Sequence, residues 1–133
     1  MTDGLTIAEA AERLGLTADT LRYYEKDGLL LRPVGRASSG HRRYSPHDLR
    51  WIELVTRLRS TGMAIRDVRR YADLVRAGAG NETQRLELLR EHRRKVLDQL
   101  AEVQEHLGAI DRKIGIYTDK IDSSLDLERT PTV

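Results

Sequence analysis

A heptad pattern of apolar residues runs through the C-terminal part of the chain. From residue 86 to residue 121 the pattern positions alternate in steps of three and four, and only Arg93 among them is charged. These positions are Leu86, Leu89, Arg93, Val96, Leu100, Val103, Leu107, Ile110, Ile114, Tyr117 and Ile121. The spacing predicts one helix, on the order of 50 Å long, with a single apolar seam. Because a lone helix has no core of its own to cover such a seam, we expect the chain to form a homodimer through it.

Two short helices are predicted near the start of the chain. Thr6 and Glu9 have the spacing of a capping box, and the helix that follows ends at Gly15. Thr17 is a candidate cap for a second helix that begins at Ala18 and ends near residue 26. The short connection between them predicts a helix-turn-helix.

Two further helices are predicted before residue 78. Ser45 followed by Pro46 is a typical helix start, and apolar residues at helical spacing continue to Gly62. A fourth helix begins near Ile65 without a good cap and ends before Gly78. Residues 29–36 and 41–44 predict two short strands around a Ser- and Gly-containing loop, which would form a wing directly after the second helix.

Positive charge is concentrated in this region. The formal net charge is only +2, yet residues 32–70 contain ten arginines and three acidic residues. A local basic patch on a nearly neutral chain is typical of a surface that contacts nucleic acid. With 33% charged residues and no long apolar stretch, the chain is not expected to span a membrane, and no secretory signal is visible, which favours the cytoplasm.

The second helix contains the residues best suited to DNA. Thr20, Arg22, Tyr23 and Tyr24 place hydrogen-bonding groups, a cation and aromatic rings within little more than one turn. Such side chains can contact phosphates and base edges in a major groove. The alternative is that one tyrosine belongs to the core and Arg22 is an ordinary solvated charge.

Three segments in this order resemble the MerR family of bacterial transcription regulators. They are Leu5 to Leu29 with its Thr-Leu-Arg-Tyr-Tyr-Glu sequence at 20–25, the wing sequence at 40–44, and Leu58 to Met63. The resemblance implies a winged helix-turn-helix head, dominated by α-helix, and a long C-terminal helix that forms an antiparallel coiled coil. It also implies binding to promoters with long spacers, which the dimer bends and untwists so that RNA polymerase can engage both promoter elements.

The resemblance and the residue pattern give an expected DNA-contact set in the head. The set comprises Thr6, Thr17, Thr20, Arg22, Tyr23, Tyr24, Arg42, Arg43, Tyr44 and Arg66. We expect a DNA-binding domain at 1–78, a dimerisation helix at 79–121 and a flexible tail at 122–133.

The effector is the least determined part of the prediction. The chain contains no cysteine, which argues against disulfides, thiolate metal sites and thiol-based sensing. The layout resembles the short aldehyde-responsive branch of the family, in which an ungapped alignment places the reactive cysteine at Arg57. Electrophile capture by a thiol is therefore not expected, and any small-molecule inducer is unknown.

Two histidines and one arginine on the long helix have open interpretations. His92 and His106 are about 21 Å apart on a straight helix, so one chain cannot use both for one metal ion, and polar roles beside the seam are favoured. Arg93 can extend its charge to the edge of the coil, set the register or contact the partner's head.

No catalytic constellation or cofactor site is visible, so an enzyme is not expected. The rival interpretations are a coiled-coil adaptor and a nucleoid protein that binds DNA without a specific operator.

Overall fold

A computed structural model describes residues 4–32, 35–36 and 42–129, without the side chains of residues 36, 42 and 126–129. In chain order the elements are α1 (Ile7–Leu14), α2 (Ala18–Lys26), β1 (Gly35–Arg36), β2 (Arg42–Arg43), α3 (Pro46–Ser60), α4 (Ile65–Arg76) and α5 (Glu82–Arg129). The predicted fold class, mostly helical with a small hairpin wing and a long C-terminal helix, is confirmed.

The predicted helix starts are formed by the expected residues. The Thr6 hydroxyl accepts from the Glu9 amide, and the Glu9 carboxylate accepts from the Thr6 amide at 2.9 Å. Ser45 and Asp48 form the same reciprocal pair at the start of α3. Gly15 ends α1 with φ +69°, a left-handed conformation that glycine adopts without steric cost. The start of α4 has no side-chain cap, in agreement with its sequence.

The chain forms two compact units, residues 1–92 and 93–133. In the first unit, which we call the head, α1 packs on α2 and α3, and α4 packs on α3. The largest fully buried side chains of the head are Leu21, Leu29, Tyr44, Ile52, Val55 and Val68. Trp51 donates from its indole nitrogen to the Leu29 carbonyl at 2.8 Å and stacks on Tyr71. The connection between α2 and the wing is therefore held by α3.

The wing is a two-stranded antiparallel hairpin in which Gly35 pairs with Arg43. The expected strand at residues 29–31 does not form, and the carbonyls of these residues accept from the side chains of Trp51 and Arg76 instead of from a neighbouring strand. An additional antiparallel bridge, which sequence reasoning missed, joins Leu5 to Tyr44 through two backbone hydrogen bonds of 2.9 and 2.8 Å. This bridge ties the base of the wing to the start of α1. The predicted wing loop at 37–41 lies outside the described residues.

The domain boundaries differ from the prediction at both ends of α5. The head extends to His92, because Leu89 packs against the core and the His92 ring nitrogen lies 2.7 Å from the Thr61 hydroxyl. The helix also continues past residue 121, the predicted end of the dimerisation helix, to Arg129. Helical spacing of Ile121 and Leu125 continues the apolar pattern there, and the next proline is at 131. Residues 130–133 lie outside the described part of the chain.

Candidate nucleic-acid interface

The outer face of α2 presents Arg22 and Tyr23. Arg22 donates to the Asp19 carboxylate at 2.9 Å, and about half of its side chain is exposed. Tyr23 is 42% exposed, which is a large solvent-facing area for an aromatic side chain in a small domain. Exposed surface ion pairs contribute little to stability. Both side chains can therefore be used for contacts outside the chain.

Tyr24 and Tyr44 require a correction. Their relative exposures are 6% and 0%, and both belong to the hydrophobic core of the head. Tyr24 faces inward because it lies one helical turn from Leu21, which is also buried. Tyr44 is held at the base of the wing by its bridge to Leu5. These two rings are structural, and we do not retain them as side chains that contact DNA.

The helix starts capped by Thr6 and Thr17 differ in how open they are to an outside anion. At α1 the Thr6 amide is occupied by the Glu9 carboxylate, and hydrogen bonds to the Thr6 backbone and then to its side chain hold the pKa of Glu9 below its ordinary value. At α2 the Thr17 hydroxyl accepts from the Thr20 amide at 3.1 Å and lies 2.9 Å from the Thr20 hydroxyl. No carboxylate closes a capping box there, so the start of α2 is the more open of the two to a phosphate.

The wing contributes a basic strand. Arg43 is half-buried and its charge acts on Glu9 of α1, which places it beside the start of the first helix. The backbone of Arg42 is paired in the hairpin, and its side chain lies outside the described part of the chain.

Arg66 lies in the first turn of α4 and is exposed. The helix start beside it lacks a side-chain cap, so among the described residues no side chain accepts from the early amides of α4. A guanidinium next to such amides is suited to an anionic oxygen.

Two arginines of α4 have structural partners that sequence reasoning did not find. Arg69 forms an ion pair with the carboxylate of Asp27 and donates from Nε to the Asp27 carbonyl at 3.0 Å. Arg76 donates to the carbonyls of residues 28, 30 and 31, which follow α2. The only signal in the sequence is their seven-residue spacing, which places both on one face of α4. Arg69, one of the ten arginines of the basic patch, is therefore paired within the head and is not a freely solvated charge.

Arg57, at the position suspected of sensing, has the contacts of an ordinary surface arginine. Arg57 forms an ion pair with Glu53 at 2.5 Å, one turn away on α3, and both side chains are at least half exposed. Nothing in its contacts identifies a ligand.

The seam of α5 beyond the head is exposed in the single chain. Each of its larger apolar residues from 100 to 121 is at least half exposed, whereas Val96 is half-buried. The residues concerned are Leu100, Val103, Leu107, Ile110, Ile114, Tyr117 and Ile121. Of the two expected seam residues within the head, Leu86 is exposed and Leu89 packs against the head's own core. Leu89 is therefore only partly available for pairing with a second copy of the chain.

Within the described residues, no group of three or more potential ligands could hold a metal ion. In the same part of the chain, no helix is both long and apolar enough to cross a membrane.

Comparison with known proteins identifies related sequences and structures. A model of MerR HTH family regulatory proteins matches residues 5–74. An uncharacterized HTH-type transcriptional regulator from Haemophilus influenzae is 38% identical over 112 residues, covering 84% of this chain and 82% of that protein. The regulator AdhR from Bacillus subtilis is 37% identical over 94 residues, covering 71% of this chain and 66% of that protein.

Solved structures agree with these matches. HiNmlR, a MerR family regulator lacking the sensor domain and bound to promoter DNA, has a TM-score of 0.77 and 38% identity, covering 90% of this chain and 92% of that one. A MerR family regulator from Listeria monocytogenes has a TM-score of 0.79 and 34% identity, covering 96% of this chain and all of that one.

Proposed function

Because the chain belongs to the MerR family of HTH regulatory proteins, we propose that it binds promoter DNA as a homodimer and regulates transcription by RNA polymerase there. The observation that carries the proposal is the exposed Arg22 and Tyr23 pair on the outer face of the second helix of a helix-turn-helix. Such a helix fits the major groove, where base edges can be distinguished. The site of action is the bacterial cytoplasm, where promoter DNA is available.

The contacts divide into two groups by their chemistry. Arg22 and Tyr23 are the candidates for reading base edges, while Thr17, Thr20, Arg42, Arg43 and Arg66 are candidates for phosphate contacts. Phosphate contacts set affinity and its salt dependence, and base contacts set the preferred sequence. Thr6 acts through the helix cap that positions the start of α1.

The exposed seam of α5 supports the proposed homodimer. The exposed seam of α5 is apolar over several helical turns, and two copies can cover it by pairing. Two heads held at a fixed separation fit a palindromic site. We propose further that the dimer acts by bending and untwisting the spacer between promoter elements, at an energy cost that its contacts offset.

The DNA surface can be tested with three single variants and a genomic selection. Fragments bound by the purified protein define an operator, and fluorescence anisotropy then gives its affinity and that of a random duplex across several salt concentrations. Arg22→Ala should weaken operator binding by about 1 to 3 kcal/mol with a smaller effect on random DNA. Arg42→Ala should weaken both duplexes and lower the salt slope by about 1.

Arg112→Ala is the matched control, because this exposed arginine of α5 lies outside the seam and outside the head. It should leave operator affinity unchanged. If Arg22→Ala binds operator and random DNA as the wild type does, the DNA surface lies elsewhere on the chain.

The spacer mechanism has its own test, in transcription with purified RNA polymerase. Promoters that carry the selected operator and differ only in spacer length should be activated only where the spacer is long. Equal activation at every spacer length would contradict untwisting while leaving DNA binding intact.

A further inference from the structure

The segment at residues 27–31, between α2 and the wing, is held by side chains of α3 and α4. We call it the connecting segment. Each of its five carbonyls accepts a hydrogen bond from one of three side chains, which are Trp51 of α3 and Arg69 and Arg76 of α4. In a β-strand such carbonyls accept from the amides of a neighbouring strand. The conformation of the connecting segment therefore depends on side chains that lie at least twenty positions later in the sequence.

Arg76 makes most of these contacts. Its Nε donates to the carbonyls of Leu30 and Leu31 at 3.1 and 3.2 Å, and its Nη2 donates to the carbonyls of Gly28 and Leu30. Its third nitrogen, Nη1, forms an ion pair with Asp73 at 2.5 Å, and 31% of the side chain is exposed. All three guanidinium nitrogens thus have acceptors inside the head. The contacts of Arg76 are those of a structural clamp, and a phosphate would have to compete with them.

The wing is anchored at its other end to a different helix. Tyr44, directly after β2, is bridged to Leu5 by backbone hydrogen bonds of 2.9 and 2.8 Å, and α1 begins two residues after Leu5. The wing is therefore tied to the start of α1 on one side and, through the connecting segment, to α4 on the other. When two contacts on one ligand are joined by a linker, the second contact loses effective concentration as the linker becomes flexible. Release of the connecting segment should therefore weaken the contribution of the wing to binding.

We propose that Arg76 is a positioning residue for DNA binding, which holds the connecting segment so that α2 and the wing contact one duplex at the same time. Arg76 acts through the backbone of residues 28–31 and does not itself contact DNA. Its loss should remove the contribution of the wing to affinity and leave that of α2. This inference rests on the proposed DNA-binding function.

The coupling between Arg76 and the wing can be measured with a double-mutant cycle on the selected operator. The variants are Arg76→Met, Arg42→Ala and the double variant, with Arg112→Met as the control for loss of one exposed arginine. Arg76→Met should weaken operator binding about 5- to 20-fold in the wild-type background and less than about 2-fold in the Arg42→Ala background. It should lower the salt slope by about 1, as Arg42→Ala does, with no further decrease in the double variant.

Arg76→Lys separates the geometry of the clamp from its charge. Lysine keeps the positive charge, but its single nitrogen replaces a planar fork that reaches the carbonyls of three residues. Arg76→Lys should therefore bind the operator nearly as weakly as Arg76→Met. A lysine variant with wild-type affinity and salt slope would show that charge alone is sufficient, and this result would overturn the inference.

Hydrogen exchange in the free protein tests the clamp without DNA. The Leu29 amide of the connecting segment donates to the Tyr24 carbonyl at 3.0 Å, and the Ala10 amide of α1 donates to the Thr6 carbonyl at 2.8 Å. In Arg76→Met the Leu29 amide should exchange about 10-fold faster, while the Ala10 amide should exchange as in the wild type. Equal acceleration of both amides would mean that the variant has lost global stability, and Arg76 would then have only a structural role.

Two further results would overturn the inference. An unchanged Leu29 exchange rate in Arg76→Met would show that the segment does not need the clamp. A full loss of affinity that persists in the Arg42→Ala background would show that Arg76 acts independently of the wing. By contrast, a wild-type protein that prefers no operator would count against the proposed function, and the Leu29 exchange rate would still decide whether Arg76 holds the segment.

Discussion

At the residue scale, two adjacent tyrosines of the second helix have opposite environments. Tyr23 is 42% exposed and Tyr24 is 6% exposed, although the sequence presents them as an equivalent pair. The difference follows from the helical period, because Tyr24 lies three positions after the buried Leu21 and Tyr23 lies on the other side of the helix. The candidate DNA surface therefore uses one of the two rings.

Because of this difference, substitution of Tyr24 should mainly affect the stability of the head, and substitution of Tyr23 should mainly affect DNA binding. Tyr24→Ala should lower the free energy of unfolding by about 3 to 5 kcal/mol, because it removes a buried aromatic ring. Tyr23→Ala should change it by less than about 1 kcal/mol and should still weaken operator binding. Urea denaturation at one fixed protein concentration gives the comparison, since the stability of a dimer depends on concentration.

The reverse ranking of these two variants in urea would show that the inward and outward faces of α2 are wrongly assigned. Tyr24→Phe is the matched control, because it keeps the ring and removes only the hydroxyl.

At the element scale, helix boundaries were largely predictable and the long-range contacts were not. Thr6 with Glu9 and Ser45 with Pro46 are local signals, and both helices begin where those signals place them. The bridge from Leu5 to Tyr44 and the clamp of Arg76 on residues 28–31 join positions far apart in sequence. No local pattern identifies such pairs, because arginines and short extended segments have the same appearance whether paired or solvated.

The Leu5 to Tyr44 bridge leads to a prediction about the wing. Gly4 has φ +129°, and a Cβ atom there would lie 2.7 Å from the Tyr44 carbonyl oxygen. Gly4→Ala should therefore cost about 1 to 3 kcal/mol of stability through backbone strain. It should also weaken binding to all duplexes, because the base of the wing is displaced from α1. Thermal melting and anisotropy measure the two effects.

Gly115→Ala provides the matched control in the same chain. Gly115 lies inside α5, and beyond the backbone of its own helix nothing lies within 4 Å of the place that an alanine Cβ would take. Alanine should therefore stabilise that helix by up to about 1 kcal/mol. A Gly4→Ala variant that is as stable as the wild type would mean that the bridge contributes nothing to the head.

At the scale of the whole molecule, the heptad pattern predicted a long helix but not where its role changes. Leu86, Leu89 and Leu100 all occupy seam positions of the repeat, yet Leu89 packs against the core of the head. His92, predicted as a polar residue beside the seam, contacts Thr61 at the end of α3. A repeat records which face of a helix is apolar, and it does not record which neighbour covers that face.

The central claim is that two copies, joined through α5, read one palindromic operator with the outer faces of their second helices. The most direct test measures stoichiometry and specificity in one titration at physiological salt. Purified protein is titrated into the selected operator and into a random duplex, with binding followed by anisotropy and the mass of each complex by sedimentation. Wild type and Leu107→Glu are compared, because Leu107 is a half-exposed residue of the seam.

The account predicts two chains per operator and an affinity at least about 10³-fold above that for random DNA. It also predicts that Leu107→Glu is a folded monomer that has lost most of this preference. One wild-type chain bound tightly per full operator would contradict the dimer, equal affinity for both duplexes would favour a nucleoid protein, and no binding to either would favour a coiled-coil adaptor.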